Sequence, residues 1–176
     1  MTMRASQRLP SLRKEVIFGE IRRALGRTAR AWFRVVHFSV QADHVHMLVE
    51  ANDKCSLSRG LMGVTIRLAR AVNRAVGRKG RVWDDRFHAR ALSSPREVRN
   101  GIVYVLMNAK KHLPCAPNLD PCSSADSFTG WRVPPSVGPP HATGDHVTEP
   151  PATWLLRTGW KKHGLIEPNE RPRSHL

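Results

Sequence analysis

Apolar positions change their period several times along the first two thirds of the chain, and each change marks an element. Between Lys14 and Leu25 they recur at helical spacing, with Phe18, Ile21 and Leu25 following Ser11 and Gly26 as a stop. The run Ala31 to Val40 (AWFRVVHFSV) is rich in β-branched and aromatic residues. After the polar break Gln41-Ala42-Asp43 a second such run, HVHMLVEA, follows, and together they predict an antiparallel strand pair. Helical period then returns. Leu57, Leu61, Val64, Leu68, Ala71 and Ala75 share one face of a helix predicted from a Ser56 cap to about Val76 and ended by Gly77. A further strand is expected around Arg81 to Leu92. Ser94-Pro95-Arg96-Glu97 then combines a capping Ser, a first-turn Pro and a Glu three residues after the cap. The helix it opens is predicted to reach about Lys111, burying Val98, Ile102, Val105, Leu106 and Ala109.

The order helix, strand, strand, helix, strand, helix predicts an α+β fold, an antiparallel sheet with helices packed on one face. Met1 to Arg4 is read as the remnant of a first strand. Nine of the 13 prolines fall between Pro114 and Pro151, which divides the chain into a domain over residues 1–112, a Pro-rich irregular linker over 113–152, and a C-terminal helix and tail over 153–176. Thr153 to Gly164 (TWLLRTGWKKHG) has an N-cap residue, a terminal glycine, and Lys161, Lys162 and His163 in the last turn. It is expected to dock back on the domain, and Trp131 is expected to give the linker a docking point.

Charge sharpens this division. Residues 1–112 hold 23 Lys and Arg against 8 Asp and Glu, which is the whole net charge of +15, and the remainder is balanced. An anionic polymer, nucleic acid first, is the implied partner. The opening residues lack the apolar core of a signal peptide and no run of about 18 apolar residues occurs, so the expectation is a cytoplasmic protein without a membrane partner. Cys55, Cys115 and Cys122 are odd in number and lack zinc-ribbon spacing, which argues against a disulfide framework or a thiolate metal site.

Three features carry chemistry. In a strand with a period of two, His44 and His46 point to one face and can share a divalent metal, while Val45, Met47 and Val49 face the other way. Two imidazoles are an incomplete site and need a third ligand. Tyr104, the single tyrosine, lies off the core face of the last helix with Asn108 one turn later, so both can reach one point. A phenol can attack phosphorus when a metal polarises the phosphate, and Asn108 can supply a metal oxygen ligand. Third, Arg59, Arg67, Arg70, Arg74 and Arg78 fall within about a 100° arc of the long helix, assisted by Arg81, Arg86, Arg90, Lys110 and Lys111. Few acids lie nearby, so phosphate contacts account for this face better than solvation alone. Trp83, Phe87 and Trp160 could stack on unpaired bases, but core or docking packing is the favoured reading of each. His37 and His88 are read as core or hydrogen-bonding residues near the same region.

The segments VVHFSVQADHVHMLVEA, GRVWDDRFHARAL and SPREVRNGIVYVLMNAKKH resemble the REP-associated tyrosine transposases of the HUH, IS200-like single-tyrosine superfamily. The resemblance runs from about Leu9 to His112, with a weaker echo in TWLLRTGWKKHGLI. It implies a ferredoxin-like core, Mg²⁺ or Mn²⁺ held by His44, His46 and Asn108, and Tyr104 as the nucleophile that cuts single-stranded DNA beside a hairpin, leaving a 5′-phosphotyrosine and a free 3′-OH. Many relatives follow the tyrosine with Asn-Pro. Here Asn108-Ala109-Lys110 is expected to extend the helix.

The resulting expectation is a transposase, monomeric or homodimeric. It docks a DNA hairpin on the arginine face and leads the single-stranded flank across the sheet edge to Tyr104. Phosphotyrosine conserves the phosphodiester energy, so strand transfer needs no nucleotide cofactor. Two rivals are a catalytically inactive, domesticated relative that binds hairpins and a metal-dependent hydrolase using water. The hydrolase is disfavoured because two-metal hydrolases usually need several carboxylates and the His44-Val45-His46 motif is poor in acidic neighbours.

Overall fold

The computed structural model describes residues 1–112, 119–133 and 147–172. β1 (Thr2–Arg4), α1 (Glu15–Gly26), β2 (Phe33–Val40), β3 (His44–Ala51), α2 (Lys54–Val76), α3 (Pro95–Leu106), α4 (Ala109–His112) and α5 (Trp154–Arg157) follow in chain order. The strands form one antiparallel sheet in the order β1-β3-β2, with Thr2 opposite His46 and Val40 opposite Val45. The expected α+β antiparallel sheet with packed helices is therefore present, and Met1 to Arg4 does contribute a first strand.

The helices occupy both faces of this sheet rather than one. Val45 and Met47 of β3 pack with Val35, Phe38 and Val40 of β2 beneath α1 and α2, whereas Leu48 packs beneath α3 with Val98, Ile102 and Val105. The reason lies in the strands themselves. From Val45 to Leu48, and almost throughout β2, successive residues on both sides of the pleat are buried, and a strand without a polar face needs cover on each side. A register shift between Val35 and His37 keeps Val35 and Phe38 on the same face. Gly60 of α2 lets the helix lie on the Phe33 ring, since a Cβ there would fall 2.1 Å from a ring carbon.

Several boundaries differ from the sequence reading. α2 is capped by Asp53, whose carboxylate accepts the Ser56 N–H at 2.8 Å and the Ser56 hydroxyl at 2.9 Å, so Ser56 stands inside the first turn. Gly77 ends α2 in the left-handed region at φ 67°. Residues 81–92 do not form a regular strand. They run beside β1 through isolated pairings of Ala5 with Trp83 and Thr2 with His88. The Asp84 N–H reaches the Arg4 carbonyl, while His88 and Thr2 exchange both backbone bonds, so four steps of one chain oppose two of the other and the ladder is broken between them. The Ser94–Glu97 capping box is present, but α3 ends at Leu106. Bonds from Lys110 N–H to the Met107 carbonyl and from Lys111 N–H to the Asn108 carbonyl then start α4 as a separate tight turn.

The C-terminal part closes the α3 side. Of the Pro-rich linker, described over 119–133 and 147–152, the first stretch is irregular apart from a 3₁₀ turn at Ala125–Ser127, yet Ala125, Phe128 and Trp131 are buried in the α3 cluster with Trp160 and Ile166. The remaining linker, 113–118 and 134–146, lies outside the described residues. Asp120 receives Arg13 at 2.9 and 2.7 Å in a bidentate pair that ties this segment to the start of α1. The predicted helix at Thr153 is real but short: α5 gives way to a 3₁₀ turn at Gly159–His163, capped by Gly164 at φ 84°.

His37 sits in this core, its ring edge-on to Phe128 with centroids 5.3 Å apart and its Nδ1 3.3 Å from Ser124 Oγ. Burial pushes its pKa from 6.5 down to about 4. The unfolded chain therefore binds the extra proton between these values. The contribution of neutral His37 is complete above about pH 6.5 and declines as pH falls toward 4. Urea denaturation is expected to show wild type losing about 2 kcal/mol more than His37→Phe between pH 7 and pH 5. Parallel pH profiles for the two proteins would refute this.

A candidate active site between the sheet and α3

β3 and α3 meet at the three aromatic rings singled out in the sequence. The strand pleat turns His44 and His46 to the α3 side, and their rings are edge-to-face with centroids 4.6 Å apart. Tyr104, from the third turn of α3, stands edge-to-face on His46 at 4.9 Å. The capping box fixes where α3 begins, so it also fixes where Tyr104 falls on the sheet. Gly101, one turn earlier, keeps the wall open: a Cβ there would lie 2.8 Å from Leu92. Beside the rings is a cavity of about 250 Å³ bordered by Thr2, His46, His88, Arg90, Leu92 and Tyr104 among others.

Both imidazoles are oriented through Nδ1. That of His46 lies 2.8 Å from the Thr2 hydroxyl, and that of His44 lies 2.7 Å from Asp43 Oδ1. The hydrogen bond with His44, and at lower weight Arg4 at 3.6 Å, hold the Asp43 carboxyl below its ordinary range. Such oxygen partners set the tautomer and aim of a metal-binding histidine, directing Nε2 toward the metal. Lys111 places its ammonium 4.5 Å from the Tyr104 ring centroid, and partial burial lowers its pKa.

Asn108 is fully buried at the α3–α4 junction, and neither its amide oxygen nor its nitrogen has a hydrogen-bond partner. The structure thus brings His44, His46 and Tyr104 into ring contact without hydrogen-bonding Asn108 to any of them. An unsatisfied buried amide costs free energy, and a metal ligand bond is one way to recover it. Among the described residues no three His, Cys, Asp or Glu form a metal cluster; the nitrogen and oxygen donors that β3 and the end of α3 contribute are the two imidazoles and, just past Leu106, the Asn108 amide. Nitrogen and oxygen donors with coordination positions to spare suit Mn²⁺ and, with bound water, Mg²⁺. The residues present fit such an ion.

The basic residues are spread around this site. Arg59, Arg70, Arg81 and Arg86 are exposed, as are Arg74, paired with Glu20 at 2.9 Å, and Arg90, paired with Glu97. Arg67 is partly buried, and burial followed by repulsion from Arg30 lowers its pKa. α2 covers the face of the sheet opposite Tyr104, so its arginines reach the site only around the β1 edge, where Arg81, Arg86 and Arg90 lie. Lys110 is turned away, its ammonium bonded to the Pro168 carbonyl. Trp83 and Trp160 are buried, with indole N–H groups donating to Thr65 and Leu156 carbonyls, which makes them core residues. Phe87 is partly buried against the α1–α2 core. The sequence reading missed Thr2, whose hydroxyl becomes relevant only once β1 pairs with β3. It gave His88 and Arg90 no place beside Tyr104, because a regular strand would not have bulged there.

If the Asn108 amide is held at a cost for function, replacing it should stabilise the metal-free protein. Asn108→Leu is expected to raise the unfolding free energy in chelator by about 1 kcal/mol or more, measured by urea denaturation. A loss of stability would show that the amide has a structural partner.

A family model described as Transposase IS200 like matches residues 2–105, from β1 through His44, His46 and Tyr104 but stopping short of Asn108. No curated protein and no solved structure matches the chain. No helix among the described residues is long and apolar enough to cross a membrane. The match covers more than half of the chain and contains the ring cluster, so the protein belongs to the IS200-like transposases, enzymes that bind and process DNA.

Proposed function

We propose that the protein is a single-stranded DNA transposase that cleaves and rejoins DNA beside hairpin repeats, with Tyr104 as nucleophile. The observation that carries this is the His44–His46–Tyr104 ring cluster beside a solvent-accessible cavity. His44, His46 and Asn108 would hold Mg²⁺ or Mn²⁺. When bound, the ion supplies Lewis-acid polarisation of a phosphate oxygen and offsets charge developing at phosphorus.

The chain's own residues perform the rest. Arginines of α2 and of the 81–92 segment hold the DNA backbone, and the unpaired flank crosses the β1 edge to reach the cavity. The Tyr104 oxygen attacks phosphorus and loses its proton to solvent or a neighbouring base. The bond from phosphorus to the 3′ oxygen breaks, and that oxygen takes up a proton. The products are a 5′-phosphotyrosine and a free 3′-OH, with one phosphoester exchanged for another. A second 3′-OH can reverse the step and join a new strand without ATP. Lys111, whose ammonium stands over the Tyr104 ring, supplies positive charge near the reacting phosphate both in attack and in departure.

The test is a denaturing gel of full-length protein with labelled hairpin DNA bearing single-stranded flanks and Mn²⁺ or Mg²⁺. Wild type is expected to give a metal-dependent covalent adduct that Tyr104→Phe lacks, with the adduct reduced at least 100-fold in His46→Ala. Cleavage by both proteins without an adduct would establish water-based hydrolysis instead. Salt-sensitive binding with no cleavage by either would identify an inactive hairpin-binding relative.

A further inference from the structure

Trp83, Trp131 and Trp160 are buried and Trp32 is packed against the core, but Trp154 is 53% exposed. Its exposure is not a frayed end. Glu50 accepts hydrogen bonds from the Ala152 N–H at 2.6 Å, from the Thr153 N–H at 3.0 Å and from the Thr153 hydroxyl, which anchors the residues just before the ring. Leu155 and Leu156, just after it, pack against the same core cluster as Tyr104. Gly159 then brings the backbone against the indole, where a Cβ would fall 2.7 Å from a ring carbon. A large apolar ring is thus held in water by a frame of specific contacts.

The surroundings are cationic. Arg157, Lys161, Lys162 and His163 are all exposed, and residues 153–164 contain no carboxylate. The Lys162 ammonium lies 5.0 Å from the Trp154 ring centroid. Among the described residues neither it, Lys161 nor Arg157 has an ion-pair partner. Glu149 is the one acidic residue lining the cleft that Arg157 and Lys161 border. This segment also lies beyond residue 105, outside the stretch that carries the family match.

We infer that this surface is a second nucleic-acid contact, separate from the Tyr104 site, which takes an unpaired stretch of the DNA strand. A base stacks on Trp154, with the flexible Lys162 side chain moving from the ring to a flanking phosphate, and Lys161 and Arg157 take neighbouring phosphates. An aromatic face with lysines around it reads no base edges, so binding depends on the presence and length of unpaired DNA rather than on its sequence. A duplex, whose bases are already stacked, does not use the ring. The inference rests on the DNA-acting reading above and adds to it a holding point on the C-terminal segment.

The experiment is fluorescence anisotropy on the full chain at several salt concentrations, with labelled hairpins carrying no tail or unpaired tails of increasing length. Wild type should bind tailed hairpins more tightly than tail-less ones. Trp154→Ala should lose about tenfold in affinity for tailed DNA, with no change for the tail-less hairpin, and Trp154→Phe should recover most of the loss. Lys161→Ala/Lys162→Ala should flatten the salt dependence by about 1.4 in log–log slope on tailed DNA only. Circular dichroism checks that each variant is folded. Equal losses on tailed and tail-less DNA, no loss on either, or no benefit of a tail in wild type would overturn the inference. Covalent adduct formation at saturating DNA is measured in parallel. Trp154→Ala should still form it, and its absence from wild type would reject the Tyr104 reading while leaving the tail dependence to decide this one.

Discussion

Burial of β3 on both sides of its pleat is the constraint from which the rest of the structure follows. A strand with Val45 and Met47 on one side and His46 and Leu48 on the other cannot sit at a wet surface, so it takes the centre of the sheet and requires a helical layer above and below. α1 and α2 supply one layer. α3 supplies the other, and because the two histidines face that layer, the helix that must cover them is also the one that brings Tyr104 against His46. The ring cluster is thus positioned by the demand for burial rather than by any loop built for the purpose.

The helices and the β2–β3 pair were legible because each is signalled locally: periodic apolar residues, a capping box at Ser94, a stop at Gly77. The histidine pair and Tyr104 were legible for the same reason, since the pleat period and the helix period predict which side chains share a face. What was not legible depends on pairing across long sequence separations. The irregular path of residues 81–92 is decided by how Thr2 and Arg4 align with His88 and Asp84. The second helical layer is decided by the burial of Leu48, whose alternation alone does not say which helix covers it. Asp53 outcompeted Ser56 as a cap through a choice of three residues that propensity does not resolve.

The break after Leu106 separates two jobs that a continuous helix would have merged. α3 presents Tyr104 from a rigid turn, while Asn108, just past the break, is set by the junction and carries an amide that the protein fold leaves unsatisfied. That combination is expected of a position kept for something other than stability. Thr2 has the opposite character. It is an ordinary residue on a three-residue strand, but its hydroxyl aims His46 while its backbone anchors His88, so the shortest strand couples two sides of the cavity.

The outer side of α3 is closed by residues far along the chain: Ala125, Phe128, Trp131, Trp160 and Ile166 fill the cluster beneath it, and Arg99 reaches across to Glu170 at 2.6 Å. In a chain made from its N-terminus, both histidines and the tyrosine emerge well before these plugs do. Until the last of them arrives, α3 has an uncovered apolar side and no fixed seat over the sheet. The arrangement therefore imposes an order in time, in which the histidines and Tyr104 reach their final alignment only after residues 125–166 have been made and have closed over α3.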